Sequence, residues 1–249
     1  MKLNVAIIIP CFNESDSVLN LRDEIRSLPE IKNINLVPVF INDCSTDNTI
    51  DKIKQSGSNY LDLPVNLGIG GAVQTGFIYA ANNNFDAAIQ LDGDGQHPAN
   101  EIEKLLQPII NNEADVVIGS RFIEKTGFQS TFSRRMGINY FKFLNKLLLN
   151  ILITDNTSGF RALNKKALSL VSNHYPDVYP EPEAIVLFKL SNLKIKEVPV
   201  QMRERMSGES SIKSFNNLYY MIKVTLGILF MYFRLKINGE HYTIPDTNT

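Results

Sequence analysis

The chain has 249 residues, 44% of them hydrophobic and 20% charged, with a formal net charge of −1. That length carries a full core in one or at most two domains, and the near-neutral balance leaves no global field to gather nucleic acid. Its two cysteines, Cys11 and Cys44, fit no metal-site spacing and suit reduced thiols in a cytoplasmic protein.

Residues 5–9 (VAIII) form a continuous apolar run, the pattern of a parallel strand covered on both faces. Ending at Pro10, the run is too short for a secretory signal. A polar loop follows, and Ser15 or Asp16 can cap a helix reaching about Leu28. Residues 36–41 (LVPVFI) predict a second strand, and Asn42-Asp43-Cys44-Ser45-Thr46-Asp47 repeats the succession of loop, cap and helix. A third short run at 60–65 leads through Asn66-Leu67-Gly68-Ile69-Gly70-Gly71 into a helix from Ala72 to about Ala81. The glycines lack the last position of a dinucleotide fingerprint and follow the third strand rather than the first, which disfavours an NAD-type oxidoreductase. Residues 87–91 and 115–118 predict the fourth and fifth strands.

Strands alternating with helices predict an α/β fold with a mainly parallel central sheet. Ligands of such sheets bind beyond the carboxyl ends of the strands. Asn13, Glu14, Asp43, Gly68, Asp92, Asp94 and Arg121 stand at five such ends and point to one shared crevice.

The second half is organised differently. Residues 137–153 are strongly apolar with two lysines, 155–161 form a polar break, and 164–171 read as a helix. Residues 175–183 (YPDVYPEPE) are too rich in proline for regular structure, and 193–200 predict a strand. A basic loop with glycine and serine covers 202–213. Residues 218–233 are apolar around a single lysine, Lys223, and fall short of the about 20 apolar residues that span a bilayer. They suit an interfacial helix with Tyr219, Tyr220, Tyr232 and Phe233 at headgroup level, or a helix packed on its own domain or a second subunit. A catalytic domain over 1–214, this helix over 215–238 and a loose tail over 239–249 describe the expected organisation.

The chemistry concentrates at Asp92-Gly93-Asp94-Gly95-Gln96, after the fourth strand. Two carboxylates two residues apart at a buried strand end repel unless a cation lies between them, and oxygen ligands suit Mg²⁺ or Mn²⁺. Gln96 adds a neutral oxygen, and diphosphate oxygens can fill the open positions. A metal-free Asp-Gly turn, a degenerate calcium loop and an aspartyl-phosphate site compete with that reading.

Taken together, IIIPCFNE (7–14), NDCSTD (42–47), NLGIGGA (66–72), DGDGQHP (92–98), GSRF (119–122), TDNTSGFRA (154–162) and RERMSGESSIK (203–213) resemble family 2 glycosyltransferases. The branch with dolichol-phosphate mannose synthases and bacterial polyprenyl-phosphate glycosyltransferases is the most similar. The resemblance implies a single-domain nucleotide-sugar-binding fold of the GT-A type. It implies that Pro10 and Glu14 border the nucleoside and that Asp43 bonds the base or ribose, with Asn13, Asn66 and Gly68 also binding substrate. Asp92, Asp94 and Gln96 would hold Mg²⁺ or Mn²⁺ on the donor diphosphate, and Arg205, Ser210 and Lys213 would close over it. Arg121 with Arg134 or Arg135 would meet an anionic acceptor, and Asp155 matches the acidic residue near it. A hydroxyl acceptor needs a carboxylate base, Asp155 first and Glu183 second; with a phosphate acceptor Asp155 can instead orient or balance charge, and a turn cap before Thr157 is its structural alternative.

Asn42 stands where the family's usual pair of aspartates would put the first, and the absence of tryptophan disfavours processive polysaccharide synthases. The expected reaction is inverting transfer of a sugar from a nucleotide-diphosphate donor to a polyprenyl phosphate in cell-surface glycan synthesis. Transfer to a saccharide hydroxyl of a lipid-linked glycan, or a non-catalytic nucleotide-sugar-binding protein, are the alternatives. The expected location is the inner face of the cell membrane, peripherally bound, with a small membrane protein or a second copy as candidate partner.

Overall fold

The computed structural model describes residues 2–124, 132–177, 179–203 and 217–237. Strands β1 (Leu3–Cys11), β2 (Ile34–Asn42), β3 (Asn59–Asp62), β4 (Ala87–Gln90), β5 (Val116–Ser120), β6 (Arg161–Asn164) and β7 (Ile195–Pro199) form one sheet in the order β3-β2-β1-β4-β6-β5-β7. Every neighbouring pair is parallel except the two made by β6, which runs against both β4 and β5.

Both faces of the sheet are covered, as the unbroken apolar runs require. From β1, Val5, Ile7 and Ile9 enter one core beside Val18 and Leu21 of α1 (Val18–Arg26), Ile53 of α2 (Thr49–Ser56) and Leu105 of α4 (Ile102–Ile110). Ala6 and Ile8 enter the other, beside α3 (Gly68–Asn82), α5 (Phe132–Leu149), α6 (Lys165–His174), α7 (Pro180–Leu190) and α8 (Asn217–Ile237).

Three elements depart from the sequence reading. The proline-rich stretch is not irregular throughout: α7 opens at Pro180, with Pro182 still in the first turn. The first N–H groups of a helix have no partner within it, so proline is tolerated there. Strand β6 is hidden in the sequence because only Arg161, Ala162, Leu163 and Asn164 form it. Its last residue caps the following helix, with Asn164 Oδ1 accepting from Ala167 N at 2.9 Å. Helix α4 carries Pro108 and follows a polar loop, and its short amphipathic run is not among the predicted elements.

Helix α8 divides its residues between two environments. Val224, Ile228 and Leu235 are buried, and the helix packs on α7 and α5. Tyr220 turns inward, its ring 4.9 Å from Tyr179 and nearly perpendicular to it, and Tyr232 is half-buried, so only Tyr219 and Phe233 of the four expected aromatics stand exposed. The outer face is nevertheless apolar: Tyr219, Ile222, Leu226, Phe230, Phe233 and Ile237 recur every three to four residues. Exposed Met136, Tyr140, Phe143 and Leu147 make a second such stripe on α5. Among the described residues no helix is long and apolar enough to cross a membrane.

Candidate active site

The five parallel strands β1 to β5 and the reversed β6 bring their loops to one end of the sheet. Because β6 is antiparallel, the residues that precede it, 154–160, reach the same end as those that follow β4 and β5. The polar break in the sequence thereby becomes a wall of the crevice.

The loop after β4 is anchored along its length. A Cβ at Gly93 would lie 2.7 Å from the carbonyl oxygen of Pro10 and 2.9 Å from Cys11 Sγ, so only glycine lets Asp92 and Asp94 pass this close to the end of β1. The Ser17 hydroxyl donates to Gly93 O at 2.6 Å, and Asp94 Oδ1 accepts from the N–H of Gln96 at 2.9 Å. Gln96 O accepts from Arg203 N at 2.9 Å. Gly159 closes the other side: a Cβ there would be 3.1 Å from Asp92 Oδ1 and 2.8 Å from Gln90 Nε2. The donor set, two carboxylates and the Gln96 amide, is all hard oxygen and fits Mg²⁺ or Mn²⁺. Among the described residues no group of three or more His, Cys, Asp or Glu could hold a metal alone. A two-carboxylate seat suits an ion that completes its shell with phosphate oxygens and water, as Mg²⁺ does.

Asn13 and Asp43 tie the neighbouring loops together. Asn13 takes the left-handed conformation (φ 57°), and its Oδ1 accepts from Thr46 N at 2.8 Å. Glu14 N donates to Thr49 Oγ1 at 2.8 Å. Buried Asp43 accepts from Leu67 N at 2.7 Å, its own carbonyl accepts from Asn66 Nδ2, and Asn66 Oδ1 accepts from Gly68 N. Burial raises the Asp43 carboxyl against the lowering effect of the Leu67 and Gly68 N–H groups. Asp43, Asn66 and Gly68 thus share one corner, while Pro10 is buried under the loop of Gly93. Of the other glycines in that turn, Gly70 serves packing: its Cβ would sit 2.0 Å from Asp177 O.

On the opposite side, Arg121 and Asp155 form a buried ion pair. Nε and Nη2 of Arg121 each donate at 2.7 Å, one to each oxygen of Asp155. The Arg121 N–H and the Thr157 hydroxyl add longer contacts to the same two oxygens. Four donors thus surround the Asp155 carboxylate, which has no exposed surface. Glu197 of β7 holds this loop from below, accepting from Thr154 N, Thr154 Oγ1 and Asp155 N at 2.8–2.9 Å.

Glu183 packs its carboxyl against α8: a Cβ at Gly227 would lie 2.4 Å from its Oε1. Burial, then the charge of Asp177, raises it to about 7. The native state therefore binds this proton more tightly than the unfolded chain. The penalty of ionising Glu183 is absent below about pH 4.5 and complete above about 7. Glu183→Gln should raise the melting temperature by about 2–4 °C at pH 8.5, corresponding to about 1 kcal/mol, and leave it unchanged at pH 4. Equal melting shifts at both values in a calorimetric series would refute this.

The second glutamate of the same turn, Glu181, was not singled out in the sequence and is the one in the field of Asp92. Burial raises it, Arg161 lowers it and Asp92 raises it. Arg161, 2% exposed, donates from Nη2 to Glu181 O and from Nε to Ser158 O, both at 2.8 Å. His97 also escaped the sequence reading as a site residue, yet it is buried between the Asp92 loop and Phe160. Arg135 is exposed. The side chain of Arg134, and Arg205, Ser210 and Lys213 altogether, lie outside the described residues.

A mainly parallel sheet with an Asp-x-Asp turn at its fourth strand and a crevice between paired loops defines a GT-A nucleotide-sugar enzyme. Residues 6–171 match the family model "Glycosyl transferase family 2", and the chain belongs to that family and is a glycosyltransferase. It is 30% identical over 247 residues to the UDP-N-acetylglucosamine–dolichyl-phosphate N-acetylglucosaminyltransferase of Methanococcus voltae, covering 90% of this chain and 96% of that one. It is 26% identical to the undecaprenyl-phosphate mannosyltransferase of Micrococcus luteus, covering 84% and 88%. In fold it resembles glucosyl-3-phosphoglycerate synthase of Mycobacterium tuberculosis, solved with Mn²⁺, UDP-glucose and phosphoglyceric acid (TM-score 0.69, 17% identity, 93% of this chain and 80% of that one).

Proposed function

We propose that this enzyme transfers a sugar from a nucleoside-diphosphate donor to the phosphate of a polyprenyl-type lipid, with inversion at the anomeric carbon. The observation that carries the reading is the pairing of the Asp92–Asp94 turn with a buried guanidinium, Arg121, across one crevice; buried His97 lies in the field of both. The dolichyl- and undecaprenyl-phosphate acceptors named for the relatives agree with it.

A Mg²⁺ or Mn²⁺ ion held by Asp92, Asp94 and Gln96 would neutralise charge on the departing nucleoside diphosphate. The acceptor is already an anion. Its phosphate oxygen forms the new bond to the anomeric carbon as the bond to the diphosphate oxygen breaks, and no side chain has to remove a proton. Asp155 is therefore left to hold Arg121, which orients the acceptor phosphate. Asp43, Asn66 and Gly68 form the nucleoside side, with Asn13 and Glu14 fixing the adjoining turns. Arg205, Ser210 and Lys213 complete the diphosphate site in this reading, with Arg134 or Arg135 beside the acceptor.

Helices α5 and α8 give this catalytic domain a surface for the lipid. Their exposed apolar stripes contain no acidic residue in either helix, while Lys142, Lys146, Lys223, Arg234 and Lys236 supply cations. That combination suits the anionic inner face of a membrane, peripherally bound.

A donor panel of UDP- and GDP-sugars, offered to a short polyprenyl phosphate, the matching polyprenol and an oligosaccharide, tests the assignment. Glycosyl-phosphoryl-prenol formed only from the phosphate is the expected product. Preferential transfer to the oligosaccharide would replace this reading with the hydroxyl-acceptor one.

A further inference from the structure

His97 follows the Asp92 turn by five residues and is 3% exposed. Its ring is stacked on Phe160, with centroids 4.8 Å apart and planes 9° apart, so the imidazole cannot swing. Its Nδ1 accepts the main-chain N–H of Asp92 at 3.1 Å. A nitrogen that accepts carries no proton, so the neutral ring must bear its proton on Nε2. That Nε2–H stands 3.7 Å from Oδ2 of the same aspartate, just beyond hydrogen-bond range. One imidazole thereby addresses both the backbone and the carboxylate of Asp92, and Phe160 fixes its plane. A histidine whose task was only to fill the core could be replaced by any flat apolar ring. This one holds its only donor nitrogen 3.7 Å from a carboxylate oxygen.

We propose that His97 is a positioning residue: its Nε2–H orients the Asp92 carboxylate and so sets the affinity of the turn for its divalent cation. The proposal rests on the metal reading given above. Groups that hold a ligand in place from behind typically change metal affinity 10–100-fold when removed. His97 does not touch substrate in this scheme. It acts through Asp92.

Two substitutions separate its two nitrogens. The amide of His97→Asn can take the place of Nδ1 and keep the Asp92 main-chain contact, but it has nothing at Nε2. The longer His97→Gln can place an N–H where Nε2–H was. Titration of Mn²⁺ in the presence of UDP, followed by electron paramagnetic resonance, should show affinity about 10–100-fold weaker for His97→Asn, largely restored in His97→Gln. The same order should appear in the Mn²⁺ concentration that half-saturates turnover, with kcat at saturating Mn²⁺ much less affected. Long-range ¹H–¹⁵N correlation on the unsubstituted protein should show the proton on Nε2, a readout independent of whether either variant folds.

A proton found on Nδ1, or His97→Asn binding Mn²⁺ as tightly as wild type, overturns the proposal while leaving the metal reading intact. Wild-type protein that binds no Mn²⁺ with UDP overturns both.

Discussion

Asp94→Ala should reduce sugar transfer at least about 10³-fold, equivalent to about 4 kcal/mol of barrier, with metal-free stability little changed. The asymmetry comes from what each state of the protein asks of this carboxylate. In the fold it accepts the Gln96 N–H within its own turn, and Gly93, pressed against Pro10 and Cys11, keeps the turn in shape without it. In the proposed reaction it is one of two carboxylates in the turn that would hold the cation, and among the described residues no group of three or more His, Cys, Asp or Glu could hold a metal. Removing one therefore halves the protein's charge at the ion, and charge building on the diphosphate is left to water. Stopped transfer with unchanged metal-free melting supports the assignment. Wild-type activity that persists in EDTA would remove the metal from the mechanism.

Arg121→Ala is expected to be nearly as damaging to transfer, and in addition to destabilise the fold. It strands the carboxylate of Asp155, which has no exposed surface, beside the Thr157 hydroxyl and Glu197. Breaking a buried pair from one side typically removes about 3–5 kcal/mol, or about 10 °C in melting temperature for a domain of this size. The double substitution Arg121→Met/Asp155→Leu removes both charges and should recover most of that stability, but none of the transfer. This contrast separates the two duties of the pair. If the double variant regained activity, Arg121 would be a structural residue only; if Arg121→Ala melted like wild type, the pair would be solvated rather than buried.

Much of this was legible in the residues. Strands buried on both faces announce themselves as apolar runs such as Val5 to Ile9, and a polar loop after each run locates the crevice. The tight turn at Asp92 was readable because glycines flank its two carboxylates at a strand end, and Gly93 does press against Pro10 and Cys11 there. Strand β6 was not, because its four residues have no alternating pattern and its pairing depends on β4 and β5, distant in sequence. Glu181 and Glu183 are separated by one residue, and nothing local tells which faces Asp92; the packing of α8 on α7, through Gly227, decides it. Asp155 as a base is a reading that ordinary sequence chemistry allows. Its pairing with Arg121 was not legible, because the guanidinium approaches from the neighbouring strand end. The outward stripe on α5 was hidden for a related reason: an apolar helix looks the same in sequence whether its second face meets protein or solvent.

The reversed strand also bears on how the molecule assembles. A ribosome delivers β1 to β5 in sequence, yet β4 and β5 belong to one sheet only once Arg161–Asn164 arrive to pair with each of them. Until then the nascent sheet has an unpaired edge at β4, the kind of edge that invites pairing with another chain. Closure by a late, four-residue keystone makes this junction the step at which newly made protein is most exposed to aggregation, and a chain truncated before it should be the species that chaperones retain.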